Sequence, residues 1–132
     1  MVNFTPDLET HVPKIDNQHK ELFKRINEVV AMGAKSVNKE ETDKTLVLLG
    51  DYIKEHFRDE EELQKKSGYP KYEWHRDQHK QYIDSFNKLK AEYTKNGPSA
   101  MFTLQLNKSI IEWIVKHIKH VDIELGKFIN QK

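Results

Sequence analysis

Leu22, Phe23, Ile26, Val29 and Val30 recur at three- and four-residue spacing, the repeat of an amphipathic helix rather than a strand. The repeat returns in Leu46, Leu49, Tyr52 or Ile53, and Leu63, then in Ile83 and Phe86, and last in Leu106, Ile110, Trp113 and Ile114. Helices are expected at about 16–36, 41–66, 71–94 and 99–120. Asp16 is placed to cap the first, and Asn38 with Glu41 has the spacing of a capping box for the second. Ser67-Gly68-Tyr69-Pro70 and Lys95-Asn96-Gly97-Pro98 supply the glycine and proline chemistry that ends helices. Residues 1–14 hold Pro6 and Pro13 with little periodicity, which suggests an extended arm anchored by Phe4 and Val12. Ile123 to Phe128 form a short C-terminal helical turn. Long helices with short loops make one all-α domain over 1–132, an up-down-up-down antiparallel four-helix bundle.

Polar residues interrupt these apolar stripes at particular places. His19 lies on the first stripe, His56 and Glu60 on the second, His75 and His79 on the third, and His117 on the fourth. His56/Glu60 and His75/His79 are each four residues apart, so each pair points from one helix face. One buried histidine is ordinarily a hydrogen-bonded core residue. Six inward polar groups are another matter, because each costs a few kcal/mol to bury without a partner and the whole fold is stable by only ~5–15 kcal/mol. A metal supplies that partner, and imidazole with carboxylate suits a first-row transition ion.

Asp122 is a seventh candidate. Five histidines and two carboxylates exceed one tetrahedral site, and a carboxylate can bridge two cations. Two metals follow, one with three histidines and one with two and an open position. His117 and Asp122 are five residues apart, about 140° off one face on a straight α-helix, so a helix end or a π-type turn is expected near 118–122. His75-Arg-Asp-Gln-His79 lacks the glutamate of the zinc-protease pattern. His11 and His120 are expected outside the ligand set, and Tyr69, Tyr72 and Trp74 to pack around the turn.

Composition removes competing classes. Net charge is +1 without a basic stripe, which argues against nucleic acid as a partner. The absence of cysteine excludes disulfides, thiolate-ligated metals and thiol nucleophiles. The polar N-terminus has no apolar signal core, and no apolar run reaches the ~18 residues of a membrane span. A cytoplasmic location without membrane insertion is expected.

Ile15-Asp16-Asn17-Gln18-His19, His56-Phe57-Arg58-Asp59-Glu60-Glu61, Tyr69-Pro70, His75-x-x-x-His79 and Trp113-Ile114-x-x-His117-Ile118-x-x-x-Asp122 together resemble the hemerythrin family, especially its single-domain bacterial members. The family is itself a standard example of this bundle. The resemblance implies a non-haem di-iron centre. His75, His79 and His117 would hold one iron and His19 and His56 the other, with Glu60, Asp122 and an oxo or hydroxo group as bridges. It implies reversible dioxygen binding for storage, delivery or sensing, with nitric oxide or other small molecules as further ligands and an oxygen-consuming protein as a partner. It implies no catalytic residue; the alternatives are a di-iron oxidase, peroxidase or nitric oxide reductase, or an iron donor for repair. Leu22, Phe23, Phe57, Ile83, Phe86, Trp113 and Ile114 are candidates for a dry wall around the site. Phe4, His11, Gln64 and Leu125 stand where the family commonly has tryptophan, glycine, methionine and tyrosine.

Overall fold

Proline at position 13 fixes the start of the first helix, since its ring presets helical φ and its missing N–H is not needed in a first turn. In the computed structural model, which describes residues 2–34 and 39–131, four antiparallel helices follow: α1 (Pro13–Ala34), α2 (Lys39–Ser67), α3 (Tyr72–Asn96) and α4, helical from 100 to 130. Asn38 of the expected capping box lies outside the described residues. Asp16 does not cap α1. Its carboxylate turns back to accept the Thr10 N–H (2.8 Å), the Thr10 hydroxyl (2.8 Å) and the His11 N–H (3.1 Å), tying the arm to the helix.

The arm is anchored differently from expectation. Val2 and Leu8 are buried, whereas Phe4 and Val12 are only partly covered. A 3-10 turn, Pro6–Leu8, drives Leu8 inward, and the Asn27 amide pairs with both backbone groups of Val2 (2.9 and 2.8 Å). Thr10 crosses α4 at Gly126, where a Cβ would come within 2.3 Å of the Thr10 carbonyl oxygen.

The α2–α3 turn closes on Gly68, at φ 68°. Gly68 N–H donates to Lys65 O (3.2 Å) and Tyr69 N–H to Gln64 O (3.0 Å), the two bonds of a Schellman cap. Ser99 caps α4 by accepting the Phe102 N–H on its hydroxyl (3.0 Å).

Two π segments interrupt α4. α-Helical Ala100–Gln105 gives way to a π segment, Leu106–Glu112; α geometry returns at Trp113–His117; a second π segment spans Ile118–Asp122; and Ile123–Asn130 is α-helical again. The C-terminal turn expected as a separate piece is therefore continuous with the fourth helix. The second π segment lies where the His117–Asp122 spacing requires one. The first was not expected. There the buried Tyr82 hydroxyl donates to Ile110 O (3.1 Å), a side-chain insertion of the kind that perturbs a helical ladder.

Leu22, Ile26, Leu46, Ile53, Phe86, Ile110 and Ile114 form the main core. A smaller cluster of Ile15, Tyr69 and Leu125 closes the end beneath the α2–α3 turn. Between the two lies a polar layer.

Candidate metal centre

α1 contributes His19 to that layer, α2 His56 and Glu60, α3 His75 and His79, and α4 His117 and Asp122; all are buried. Helical spacing brings the pairs of α2 and α3 onto common faces. On α4 the π turn does this work, returning Asp122 to within 3.2 Å of His117 Nε2. The structure thus brings together all seven residues picked from the sequence. His11 and His120 are exposed and stand apart.

The carboxylates sort the histidines into two groups. Glu60 Oε1 lies 2.9 Å from His75 Nε2 and 3.1 Å from His79 Nε2, while its Oε2 lies 3.5 Å from His56 Nε2 and 4.0 Å from His19 Nε2. Asp122 Oδ1 is 2.9 Å from His75 Nε2 and 3.2 Å from His117 Nε2, and its Oδ2 is 3.2 Å from His19 Nε2. Each carboxylate offers one oxygen to each group. The donors of Glu60, His75, His79, His117 and Asp122 all fall within 4.8 Å of one another, as do those of His19, His56 and Glu60.

His75 Nε2 and His117 Nε2 face each other at 3.1 Å, but most of these atoms are close without a hydrogen-bond partner among the described residues. Both oxygens of Glu60 and of Asp122, and Nε2 of His19, His56 and His79, have no hydrogen-bond partner. Nitrogens and oxygens that converge on a shared point, rather than on each other, are what an ion requires. Two donors each roughly 2.1 Å from one ion and at right angles lie about 3.0 Å apart, close to the spacing around His75. The residues present therefore fit a pair of metal ions.

Proton energetics agree. Burial, and Asp122 nearby, would raise the Glu60 pKa, but the close approach of His75 and His79 and the field of His56 bring it down to about 2. Burial would likewise raise Asp122, yet His117, His19 and His75 hold it well below the ordinary carboxylate range. Burial pushes His56 down to about 4, so it is neutral and ready to ligate. For His75 burial also pushes downward, but Asp122 and Glu60 outweigh it and lift the group to about 10. Without a metal, a proton on His75 does part of the metal's electrostatic work.

Three of the outward Nδ1 atoms, those of His56, His79 and His117, have partners that orient the rings, whereas Nδ1 of His19 and His75 have none among the described residues. His56 Nδ1 meets Gln18 Oε1 (2.7 Å), and Gln18 Nε2 donates to Asp59 Oδ2 (2.9 Å). His117 Nδ1 meets Gln78 Oε1 (3.1 Å), and His79 Nδ1 meets the Glu61 carboxylate (2.8 Å). Sequence reasoning gave none of these residues a role. Their adjacency to ligands (Gln18 before His19, Glu61 after Glu60, Gln78 before His79) was the available signal.

Two rings cover the imidazoles. Phe57 stacks on His79 at 3.8 Å and 3°, and Trp113 on His117 at 4.6 Å and 13°, itself backed by Tyr82 at 4.5 Å. Leu22, Phe23, Phe57, Phe86 and Ile114 are buried, while Ile83 and Trp113 are partly covered. Phe86 packs in the Gly50 region, two turns beyond His79. Tyr69 is buried with its ring centroid 6.4 Å from that of His75 in an edge-on arrangement, Tyr72 is partly covered and Trp74 is half exposed.

Residues 10–129 match the family model described as the hemerythrin HHE cation binding domain. The chain is 33% identical over 116 residues to the myohemerythrin of Theromyzon tessulatum, covering 88% of this chain and 83% of that one. It is 27% identical over 124 residues to the bacteriohemerythrin of Clostridium acetobutylicum, covering 89% and 93%. A solved wild-type hemerythrin superimposes with a TM-score of 0.84 at 26% identity, over 98% of this chain and 97% of that one. The matched family is described as cation binding, and among the described residues no helix is long and apolar enough to cross a membrane. A family match over most of the chain, a shared bundle and a buried layer of imidazoles and carboxylates lead to one conclusion: this chain belongs to the hemerythrin family.

Proposed function

We propose that the protein binds dioxygen reversibly at a di-iron centre, with His75, His79 and His117 holding one iron, His19 and His56 the other, and Glu60 and Asp122 spanning both. The observation that carries this reading is the division of each carboxylate, one oxygen toward each histidine group. Iron held by these seven residues would supply the two-electron chemistry that reversible dioxygen binding needs. Five neutral imidazoles against two anionic carboxylates favour that reversible chemistry over O–O cleavage, because fewer anionic ligands stabilise high-valent iron less well. Phe57 and Trp113 contribute by covering His79 and His117, which keeps water and proton donors from that side.

Anaerobic iron titration followed by visible spectroscopy tests the proposal. Two irons per chain are expected, with a band that grows on oxygenation and fades on degassing. A band that decays irreversibly would point to a catalytic or sacrificial role. Failure to take up iron would overturn the di-iron reading.

A further inference from the structure

Glu60 is followed one turn later by Gln64, on the same face of α2 and fully buried, at a position where the apolar stripe would take a hydrophobic side chain. Among the described residues, neither polar atom of its amide has a hydrogen-bond partner. The Tyr69 hydroxyl is buried and unpartnered too. The two residues are tied together at the end of α2, where the Tyr69 N–H donates to the Gln64 carbonyl at 3.0 Å. The Tyr69 ring lies edge-on to His75 at 6.4 Å and to Phe128 at 5.1 Å, which holds it between the ligand layer and the small core below.

A buried amide offers two donors and an acceptor, and a phenol offers one of each. Each group left without a partner costs ~1–3 kcal/mol. On one side the cluster of Ile15, Leu125 and Phe128 is apolar and cannot supply partners; on the other, His75, whose ring lies against Tyr69, has a buried Nδ1 that also lacks a partner among the described residues. A cation is a poor occupant, because neutral groups alone do not repay its desolvation. A neutral molecule that both donates and accepts, and needs two to four polar neighbours, meets the requirement.

We infer that Gln64 and Tyr69 form a buried binding site for one water molecule beneath the Glu60–Asp122 layer, with Gln64 and Tyr69 as its positioning residues. The site rests on the di-iron reading only for its neighbour; its own polar groups belong to the metal-free chain. It would make the centre two-faced. Stacked rings cover His79 and His117, whereas a hydrogen-bonding molecule sits on the side of the α2–α3 turn.

High-resolution diffraction of the zinc-loaded protein tests this, together with Q64M, Y69F and the double variant. The expected result is one ordered water within hydrogen-bond distance of the Gln64 amide and the Tyr69 hydroxyl, lost in Q64M. Thermal unfolding gives a second readout without any metal: groups sharing one water are coupled, so the double variant should shift the midpoint by less than the sum of the singles. Additive shifts, or Gln64 bonded directly to Glu60 with no water between, would overturn the site. Two zinc ions bound with no water present would sink this inference alone, whereas failure to bind zinc at all would count against the metal centre.

Discussion

Glu61→Gln isolates one charge without removing a ligand. The Glu61 carboxylate lies 2.8 Å from His79 Nδ1 and its side chain is 22% exposed, so solvent screens it only in part. A hydrogen bond to a charged acceptor contributes ~1.5–3 kcal/mol and a neutral one about 1 kcal/mol. Glutamine keeps the shape and the acceptor but not the charge, so the loss should be roughly 1–2 kcal/mol. Since 1.4 kcal/mol is tenfold, that predicts about 5- to 30-fold weaker binding of the ion held by His79. This agrees with the ~10–100-fold cost of removing partners behind metal-binding histidines. Zinc is a suitable redox-silent probe, titrated in competition with a chromophoric chelator. One of the two binding steps should weaken and the other stay within about twofold. Gln18→Met, acting through His56, should weaken the opposite step. Unchanged affinity in Glu61→Gln, with circular dichroism showing an intact fold, would refute the idea that the carboxylate tunes His79.

Other perturbations separate local effects. His75 has its pKa lifted to about 10 in the metal-free protein, so its contribution to stability is complete below its unfolded value near 6.5 and disappears as pH rises through 10. Metal must displace that proton, so apparent zinc affinity should rise with pH up to about 10, and calorimetry in buffers of different ionisation enthalpy should show at least one proton released at neutral pH, since His79 is raised too. Gly126→Ala places a Cβ 2.3 Å from the Thr10 carbonyl oxygen, a backbone atom that cannot swing aside, and should cost about 1–3 kcal/mol by chemical denaturation, with faster amide exchange in the arm. Trp113→Ala uncovers His117 and should speed autoxidation of the oxygenated protein; an unchanged rate would remove the shielding role. His120→Ala, at an exposed position, should leave metal stoichiometry at its wild-type value.

Periodicity alone determined the four helices and which face of each turns inward, because burial of one apolar stripe leaves a repeat that any reader of the chain can find. It also determined the ligand candidates, since polar residues on such a stripe demand a partner that the chain itself does not contain. The five-residue step from His117 to Asp122 called for a helix end or a π-type turn, and the packed chain takes the π turn. What tertiary structure decided is set by contacts between helices, and these leave no local signature. Asp16 looks like a helix cap in sequence, yet the crossing arm supplies better donors. The first π segment depends on a hydroxyl from α3, and the partners of His56 and His117 are glutamines of α1 and α3. Gln64 stands out in sequence only as a departure from the family's methionine, with nothing to say that its amide is buried. Its burial follows from the closure of Ile15, Tyr69 and Leu125 beneath it, which only the packed bundle brings about.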